Sequence, residues 1–296
     1  MKPFAVCLAA MSIASASGQV FTFSREEMVK YTAKNPFERF EDGRPKVPDS
    51  LLEKFKELSA EDIWAVLPRN GFRLQYEDGW KILYPGRKLV GRAVTAQFMP
   101  TRPDVAETAE AEAKARGMKG RSPHQRVIDT LQPGDVLVVD VFGSMDAGGV
   151  IGDNLAFYVM TATKTPGGLG GFVIDGAIRD LEGIVQLDVS GYFRGAHPNA
   201  IRDVMLTAYN TPIRIGRATV MPGDIVFGDR EGIYFIPPKF AQEIVDRAEE
   251  TRIHDEWTKM KLGTGKYKSS EIYGSPTDPE LKKEYQEYLK KRLGKK

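Results

Sequence analysis

The chain has 296 residues, 42% of them hydrophobic, which is enough for one large domain with extensions. Its 42 basic and 40 acidic side chains leave a net charge of only +2, so the overall charge gives no reason to expect a nucleic-acid partner. The single cysteine is Cys7. If the segment that contains it is removed, thiol catalysis, thiolate metal sites and disulfides are excluded together.

The first residues have the layout of a secretory signal peptide. Lys2 precedes an apolar stretch, and small residues between Ala14 and Gly18 offer two cleavage sites. The stretch is too short for a membrane-spanning helix. We therefore expect residues 1–18 to be a signal peptide and the mature protein to be periplasmic or secreted, with no membrane partner after cleavage. An ordinary buried N-terminal helix is the alternative.

The next part of the chain predicts an extension followed by the start of a domain. Residues 19–49 are charged and contain several prolines, so they are predicted to lie over a surface. Residues 49–67 have apolar positions at helical spacing, with Asp49 or Ser50 as the cap. A strand is predicted over residues 88–99.

The middle of the chain alternates helices and buried strands. An alanine-rich helix is predicted over 104–117, and a Pro-Gly-Asp turn then leads into residues 136–139, an apolar run typical of a strand covered on both faces. A glycine-rich turn precedes a helix that begins at Asp153 or Asn154. The run 172–174 predicts a second buried strand.

The last part predicts antiparallel pairing and a long helix. Residues 179–187 predict a short helical turn, and 211–221 a strand. A second Pro-Gly-Asp turn leads into 224–238, which has the pattern of a hairpin, and an amphipathic helix follows from about Lys239 to Met260. Interspersed helices and strands of this kind define an α/β domain.

Several common catalytic motifs are missing from the sequence. The glycine clusters fit neither a Walker loop nor a dinucleotide fingerprint, and neither G-x-S-x-G nor H-E-x-x-H occurs. The three histidines, His124, His197 and His254, are scattered and are interpreted as surface or loop residues.

Charged residues follow the strand at 172–174 within a few positions. Arg179 can bind a carboxylate through two parallel hydrogen bonds, and Asp180 offers a hard oxygen ligand that suits Mg²⁺ or Mn²⁺. The alternative for this pair is an ion pair at a strand end. Asp175 is interpreted as a turn residue beside Gly176.

A second polar feature lies upstream, where the glycine-rich turn meets the predicted helix. The free backbone amides of Gly152, Asp153, Asn154 and Leu155 are predicted to hold an anion such as a substrate carboxylate.

Six segments occur in a characteristic order: "LVGRAVTA", "PGDVLVVD", "IGDN", "GFVIDGAIRD", "YFRGAHP" and "PGDIVFGDREGIYFIP". In this they resemble the RraA-like family, which contains 4-hydroxy-4-methyl-2-oxoglutarate aldolases and the regulator of ribonuclease activity. The resemblance covers about residues 50–245, so 246–296 are predicted to be a C-terminal helical extension. It implies a swivelling β/β/α domain that assembles as a homotrimer or homohexamer, with the active site at a subunit boundary.

The family's aldolases carry Gly-Asp, twenty residues, and then Arg-Asp. Gly152-Asp153 and Arg179-Asp180 match these pairs, but 25 residues lie between them here. About five residues are therefore inserted, most easily in the loop around residues 163–168. An acid that often follows Arg-Asp is also shifted, because Glu182 stands one position early and Gly183 takes its place. Glu182 is given no role.

The resemblance implies a divalent-metal-dependent aldolase that works without a Schiff base. Such an enzyme cleaves a 4-hydroxy-2-oxo acid to pyruvate and a carbonyl product, and oxaloacetate decarboxylation is an expected second activity. It implies that Asp180 binds Mg²⁺ or Mn²⁺, that Arg179 holds substrate oxygens, and that Asp153 orients a water that acts as the base.

The sequence leaves several alternatives open. Lys164, in the inserted loop, is the candidate for a Schiff-base mechanism, although an exposed lysine is poorly placed for one. The chain could also be a non-catalytic protein-binding regulator, or a lyase for a sugar-derived 2-oxo acid. An acid of a neighbouring subunit, such as Asp224, Asp229 or Glu231, could complete the site. Roles in turns are favoured for these three residues.

Overall fold

The computed structural model describes residues 21–115, 117–118, 120 and 122–294. The predicted signal peptide at 1–18 lies outside these residues. In the part of the chain that the structure describes, no helix is long and apolar enough to cross a membrane.

A mixed sheet of nine strands forms the centre of the fold, and a separate two-stranded hairpin packs beside it. The strands are β1 (Tyr76–Glu77), β2 (Lys81–Ile82), β3 (Leu89–Pro100), β4 (Asp135–Asp140), β5 (Gly171–Ile178), β6 (Gly191–Ala196), β7 (Val204–Tyr209), β8 (Ile213–Ile215), β9 (Ala218–Val220), β10 (Ile225–Gly228) and β11 (Ile233–Ile236). The order in the large sheet is β1-β11-β10-β3-β4-β5-β6-β2, with β7 paired to β3. Strands β3 to β6 are parallel, and the other pairs are antiparallel.

Helices cover the sheet and form both ends of the described chain. They are α1 (Arg25–Tyr31), α2 (Asp49–Phe55), α3 (Ala60–Trp64), α4 (Pro103–Ala115), α5 (Pro123–Ile128), α6 (Asp153–Thr163), α7 (Leu181–Ile184), α8 (Ala241–Gly263), α9 (Ser269–Ile272) and α10 (Pro279–Arg292). The mixed α/β architecture expected from the sequence is confirmed.

The two central strands are buried along their whole length. Every residue of β4 and β5 is buried, because α6 packs on one face while the β8–β9 hairpin closes the other. This confirms the prediction, made from the apolar runs, of strands covered on both faces. A further apolar cluster joins α2, α3 and α8 to β10 and β11.

The N-terminal extension is anchored by a buried ion pair. The guanidinium of Arg44 donates two hydrogen bonds, of 3.1 and 3.2 Å, to the carboxylate of Asp135, and both side chains are almost completely buried. Bidentate pairing of this kind satisfies both charges away from water. The extension therefore reaches the core at this point as well as lying over the surface.

Two element predictions are wrong in detail. The helix predicted over 49–67 is divided into α2 and α3, because Ser59 and Asp62 form a reciprocal capping box that starts a new helix. Asp49 is not a cap, since Pro48 stands at that position and the Asp49 carboxylate accepts a hydrogen bond from Arg92.

The second error concerns residues 211–221, which form the hairpin β8–β9 and not one strand. The chain reverses at Gly216, whose φ of +54° favours glycine. The predicted strands at 88–99 and 172–174, the hairpin at 224–238 and the long C-terminal helix are confirmed as β3, β5, β10–β11 and α8.

Candidate functional site

The candidate site lies where β5 ends and a glycine-rich segment runs alongside it. Val150 N donates to Ala177 O, and Arg179 N donates to Ile151 O, both at 2.9 Å. On the other side, Gly149 N donates to Asn199 O at 2.8 Å. These backbone bonds hold the end of β5 against the segment that leads into α6, so the two predicted polar pairs come together.

Asp180 has a backbone conformation that few non-glycine residues adopt. Its φ of +55° and ψ of +42° lie in the left-handed region, and its carbonyl accepts hydrogen bonds from Gly183 N and Ile184 N at the start of α7. Aspartate tolerates this region better than most residues, at a cost of about 1–2 kcal/mol. Such strain is often found at functional sites. The turn brings the Asp180 carboxylate beside the Arg179 guanidinium, with Oδ2 3.5 Å from Nε.

Gly152 allows the two polar pairs to approach closely. A Cβ atom at this position would lie 2.3 Å from Oδ2 of Asp180 and 3.1 Å from Nε of Arg179. Any larger residue would therefore displace the Asp180 carboxylate. The glycine of the Gly-Asp pair is needed here for space, because its own φ of −109° is accessible to other residues.

Asp153 is the first residue of α6 and faces the start of α7. Its Oδ1 accepts a hydrogen bond of 2.7 Å from Asn154 N. A Cβ at Gly183 would lie 2.8 Å from the Asp153 Cβ and 3.0 Å from its Oδ2. This contact gives a physical reason for the absence of an acid at position 183, because a side chain there would collide with Asp153. Of the four amides predicted to hold an anion, that of Asn154 is occupied by the Asp153 carboxylate.

A cavity of about 310 Å³ opens in front of these groups, and we call it the candidate cavity. Its lining includes all four residues of the predicted anion-binding turn together with Arg179. The start of α5, the segment before α6 and the segment before β7 complete the wall: Ser122, His124, Gln125, Gly149, Val150, Ala200 and Ile201.

His124 is a cavity residue that the sequence analysis missed. Burial, with the charge of Arg179 as a second cause, lowers the pKa of His124 to about 4, so the ring is neutral at pH 7. Its Nδ1 is buried and has no hydrogen-bond partner among the described residues. His124 lies in the first turn of α5 and is half-buried, so its interpretation as a surface or loop residue is only partly right. Its spacing from Val127, Ile128 and Leu131 is helical and indicates a buried face.

Asp175 does not have the turn role that was predicted for it. It lies within β5, is buried, and accepts a hydrogen bond of 2.7 Å from Nε of Arg194, which stacks 3.7 Å from the ring centroid of Trp80. Its neighbour in the sheet is Asp140, whose pKa is raised by burial and, to a lesser extent, by Asp175. This cluster stands outside the lining of the candidate cavity.

The other candidate acids and the candidate lysine lie elsewhere. Asp224 Oδ2 accepts from Met221 N at 2.8 Å, and Asp229 accepts from Glu231 N at 2.9 Å, which confirms turn chemistry for both. Lys164 caps the C-terminal end of α6, so it lies about 16 Å along the helix axis from Asp153. Its ammonium group pairs with Asp188.

The donor set suits a divalent cation that keeps most of its waters. The described residues contain no group of three or more His, Cys, Asp and Glu side chains that could hold a metal. Asp180 supplies a carboxylate that is 39% exposed and lies beside Arg179, which lines the candidate cavity. One hard oxygen ligand with several waters is a coordination that Mg²⁺ accepts and that Zn²⁺ sites do not use.

The chain also contains a second Arg-Asp pair with the same local sequence. Ala-Ile-Arg-Asp occurs at 177–180 and again at 200–203. Asp203 has a left-handed φ of +57°, as Asp180 does, and Arg202 lies 3.8 Å from it. Both side chains of this second pair are exposed, and Arg202, unlike Arg179, does not line the candidate cavity. The pair therefore provides a matched control for the first.

The fold and site define a mixed α/β domain in which a glycine-rich turn and the arginine of a strand-end Arg-Asp pair line one cavity. The sequence model of the RraA-like family (Aldolase/RraA) matches residues 60–235. The chain belongs to this family, which confirms the resemblance found in the sequence.

Similar proteins of two kinds were found. Proteins from Halalkalibacterium halodurans and Azotobacter vinelandii, each named "Putative 4-hydroxy-4-methyl-2-oxoglutarate aldolase", are 33% identical over 124 and 110 residues, or 42% and 37% of this chain. The aligned part spans 56% and 64% of their own lengths. The solved structure of Streptomyces coelicolor RraAS2, titled an unusual member of the RNase ES inhibitor RraA protein family, is 31% identical with a TM-score of 0.59, and covers 77% of this chain and 99% of its own.

Proposed function

We propose that this protein is a divalent-metal-dependent carbon–carbon lyase that cleaves a 4-hydroxy-2-oxo acid to pyruvate and a carbonyl product. The observation that carries the proposal is that Arg179, Gly152 and Asp153 line one cavity, while the Asp180 carboxylate lies beside Arg179 and directly against Gly152. The names of the two bacterial relatives support the same reaction class. Oxaloacetate decarboxylation, which also yields pyruvate, is proposed as a second activity.

Arg179 would bind and neutralise substrate oxygens. Its guanidinium lines the candidate cavity, is 40% exposed, and has a carboxylate neighbour at 3.5 Å that leaves several N–H groups free for an incoming ligand. A planar guanidinium pairs well with a carboxylate and places positive charge where negative charge develops during cleavage.

Asp180 would hold Mg²⁺ or Mn²⁺, with waters completing the coordination. Such an ion, when bound, would polarise the 2-oxo group as a Lewis acid. The left-handed turn at Asp180 and the bare Gly152 fix the position of this carboxylate beside two residues that line the candidate cavity, Gly152 and Arg179.

Asp153 would orient the water that accepts the proton of the 4-hydroxyl group. Its Oδ1 is held by Asn154 N, which fixes the side chain at the start of α6. Cleavage removes that proton, breaks the C3–C4 bond and leaves the electron pair on the three-carbon fragment, whose C3 is then protonated to give pyruvate. His124, neutral at the cavity wall, would add an uncharged polar contact for the substrate.

A second candidate function is that of a non-catalytic regulator that binds another protein. It is favoured by one observation, the similarity to RraAS2, which is described as an unusual member of the RNase ES inhibitor RraA protein family. A lyase for a sugar-derived 2-oxo acid on the same site is a variant of the first proposal. Assembly as a homotrimer or homohexamer and export from the cytoplasm are further parts of the proposal.

A pyruvate-release assay separates these functions. The purified protein without residues 1–18 would be given 4-hydroxy-4-methyl-2-oxoglutarate, other 4-hydroxy-2-oxo acids and oxaloacetate, with Mg²⁺, Mn²⁺ or excess EDTA. We expect metal-dependent pyruvate release that Arg179→Ala abolishes and Arg202→Ala leaves intact. Full activity in EDTA would contradict the metal-dependent mechanism, and a folded protein that is inert on every substrate would favour the regulator.

A further inference from the structure

A second cavity, distinct from the candidate cavity, lies at the opposite end of α6. It has a volume of about 220 Å³ and is lined by four cationic side chains, those of Lys56, Arg87, Lys88 and Lys164. We call it the basic cavity. Among its lining residues, Asp188 is the single carboxylate, so the lining carries an excess of three positive charges.

The cations of the basic cavity are only partly neutralised. Asp188 is shared between Arg87, at 2.6 Å, and Lys164. Lys56 donates to the carbonyl of Gly167 at 2.8 Å, and Lys88 donates to the carbonyls of Lys56 and Leu58. Within the described chain the two lysines therefore have backbone dipoles as partners and no carboxylate, while their ammonium groups are held in fixed positions.

The inserted residues between the two family motifs form one wall of this cavity. A Cβ at Gly167 would lie 1.9 Å from Oε1 of Glu53, and a Cβ at Gly170 would lie 2.6 Å from the Thr163 carbonyl. Gly167 thus lets the loop lie directly on α2, next to Lys56, and Gly170 lets it pack against the end of α6. The insertion that departs from the family spacing is also the segment that contributes Lys164.

We propose that the basic cavity binds a dianionic oxyanion, either inorganic phosphate or the phosphate group of an ester. Lysine and arginine donors on several sides of a small cavity form the charge-assisted hydrogen bonds that such an anion accepts. The volume holds several water molecules and therefore a tetrahedral anion of five heavy atoms. The site is separate from Arg179, because Lys164 and Asp153 lie at opposite ends of the eleven-residue α6.

The test is a calorimetric titration of the purified protein with inorganic phosphate at constant ionic strength and pH 7.5. We expect one saturable site. The double variant Arg87→Gln/Lys164→Gln removes two exposed cations and should weaken binding at least tenfold. Asp188→Asn removes the carboxylate and should tighten binding about fivefold, a change that damage to the fold would not produce.

Controls separate the site from general charge and from the candidate cavity. Arg102→Gln/Lys114→Gln removes the same charge from an exposed surface and should leave phosphate affinity within about twofold, as should Arg179→Ala. Parallel titrations with sulfate and glycerol 3-phosphate distinguish a free oxyanion from an ester. The proposal is overturned if no saturable binding occurs up to about 10 mM of any of the three anions, or if Arg179→Ala abolishes binding while the Arg87/Lys164 double variant retains it.

Discussion

Replacing Gly152 with alanine tests whether the close approach of the two polar pairs matters. The added Cβ would lie 2.3 Å from Oδ2 of Asp180, whereas ordinary contacts of this kind begin at 3.4 Å. The carboxylate must therefore move by about 1 Å. Since the Asp180 side chain is 39% exposed, it can swing toward solvent without moving the core.

The expected cost to stability is small and the expected cost to activity is large. Crowding costs about 1–3 kcal/mol in a packed core and less at a partly exposed side chain. Alanine also reduces the backbone freedom of the unfolded chain, which stabilises the folded protein by about 0.4–1 kcal/mol. We expect the free energy of unfolding to change by less than about 1 kcal/mol. A misplacement of about 1 Å in a catalytic group lowers the rate by about 100-fold.

The assay is kcat/KM for pyruvate release, measured beside urea unfolding. Gly263→Ala is the control, because a Cβ at that helical position meets nothing within 4 Å and should leave activity unchanged. A Gly152→Ala variant that is stable and fully active would refute the reasoning, since the position of the Asp180 carboxylate would then be unimportant.

Two further predictions concern stability. Arg44→Ala leaves the buried Asp135 without its partner and should lower the free energy of unfolding, measured in urea, by about 3–5 kcal/mol. Arg102→Ala, in an exposed pair, should change it by less than about 0.5 kcal/mol. Equal effects of the two substitutions would contradict the anchoring role of the extension. Burial raises the pKa of Asp224 to about 7, so the native state holds a proton that the unfolded state loses above about pH 4, and this contribution to stability is lost as the pH rises through 7. Asparagine at position 224 can still accept the hydrogen bond from Met221 N but cannot ionise. The free energy of unfolding of Asp224→Asn, relative to that of the wild type, should therefore increase by about 3–4 kcal/mol between pH 4 and pH 8. A difference that does not change with pH would contradict a buried neutral carboxyl.

The sequence predicted the strands of the sheet well because their signal is local. Apolar runs bounded by Pro-Gly-Asp turns mark β4 and β10, and both strands are fully buried. The two wrong element predictions both depend on local features, a helix cap and a turn. The capping box at Ser59 divides a helix whose apolar spacing continues across the break, and Gly216 reverses a chain whose β-branched residues suggested one strand.

The residues of the site could be predicted from the sequence, but the contacts between them could not. Motif order indicated that Arg179-Asp180 and Gly152-Asp153 belong together, but only the backbone bonds along the end of β5 show how closely they approach. His124 was missed because the fold brings it to Arg179 from 55 positions earlier in the chain, which no local pattern reports.

Asp175 shows the opposite limit of sequence interpretation. An acid beside a glycine is typical of a turn. Its actual position inside a buried strand depends on Arg194, which comes from the next strand and neutralises it. Partners of buried charges are tertiary features, so the pattern of residues around Asp175 could not have revealed one.

The measurement that tests the central claim most directly compares Asp180→Asn with Asp203→Asn in the same pyruvate-release assay. Both residues end an Ala-Ile-Arg-Asp sequence, both have a left-handed backbone, and asparagine preserves that conformation in each. Of the two, only Asp180 has its carboxylate beside a residue that lines the candidate cavity, because its Oδ2 lies 3.5 Å from Nε of Arg179. We predict a loss of at least about 100-fold in kcat/KM for Asp180→Asn and less than about twofold for Asp203→Asn. Equal activity in the two folded variants would contradict the assignment of the active site to the end of β5.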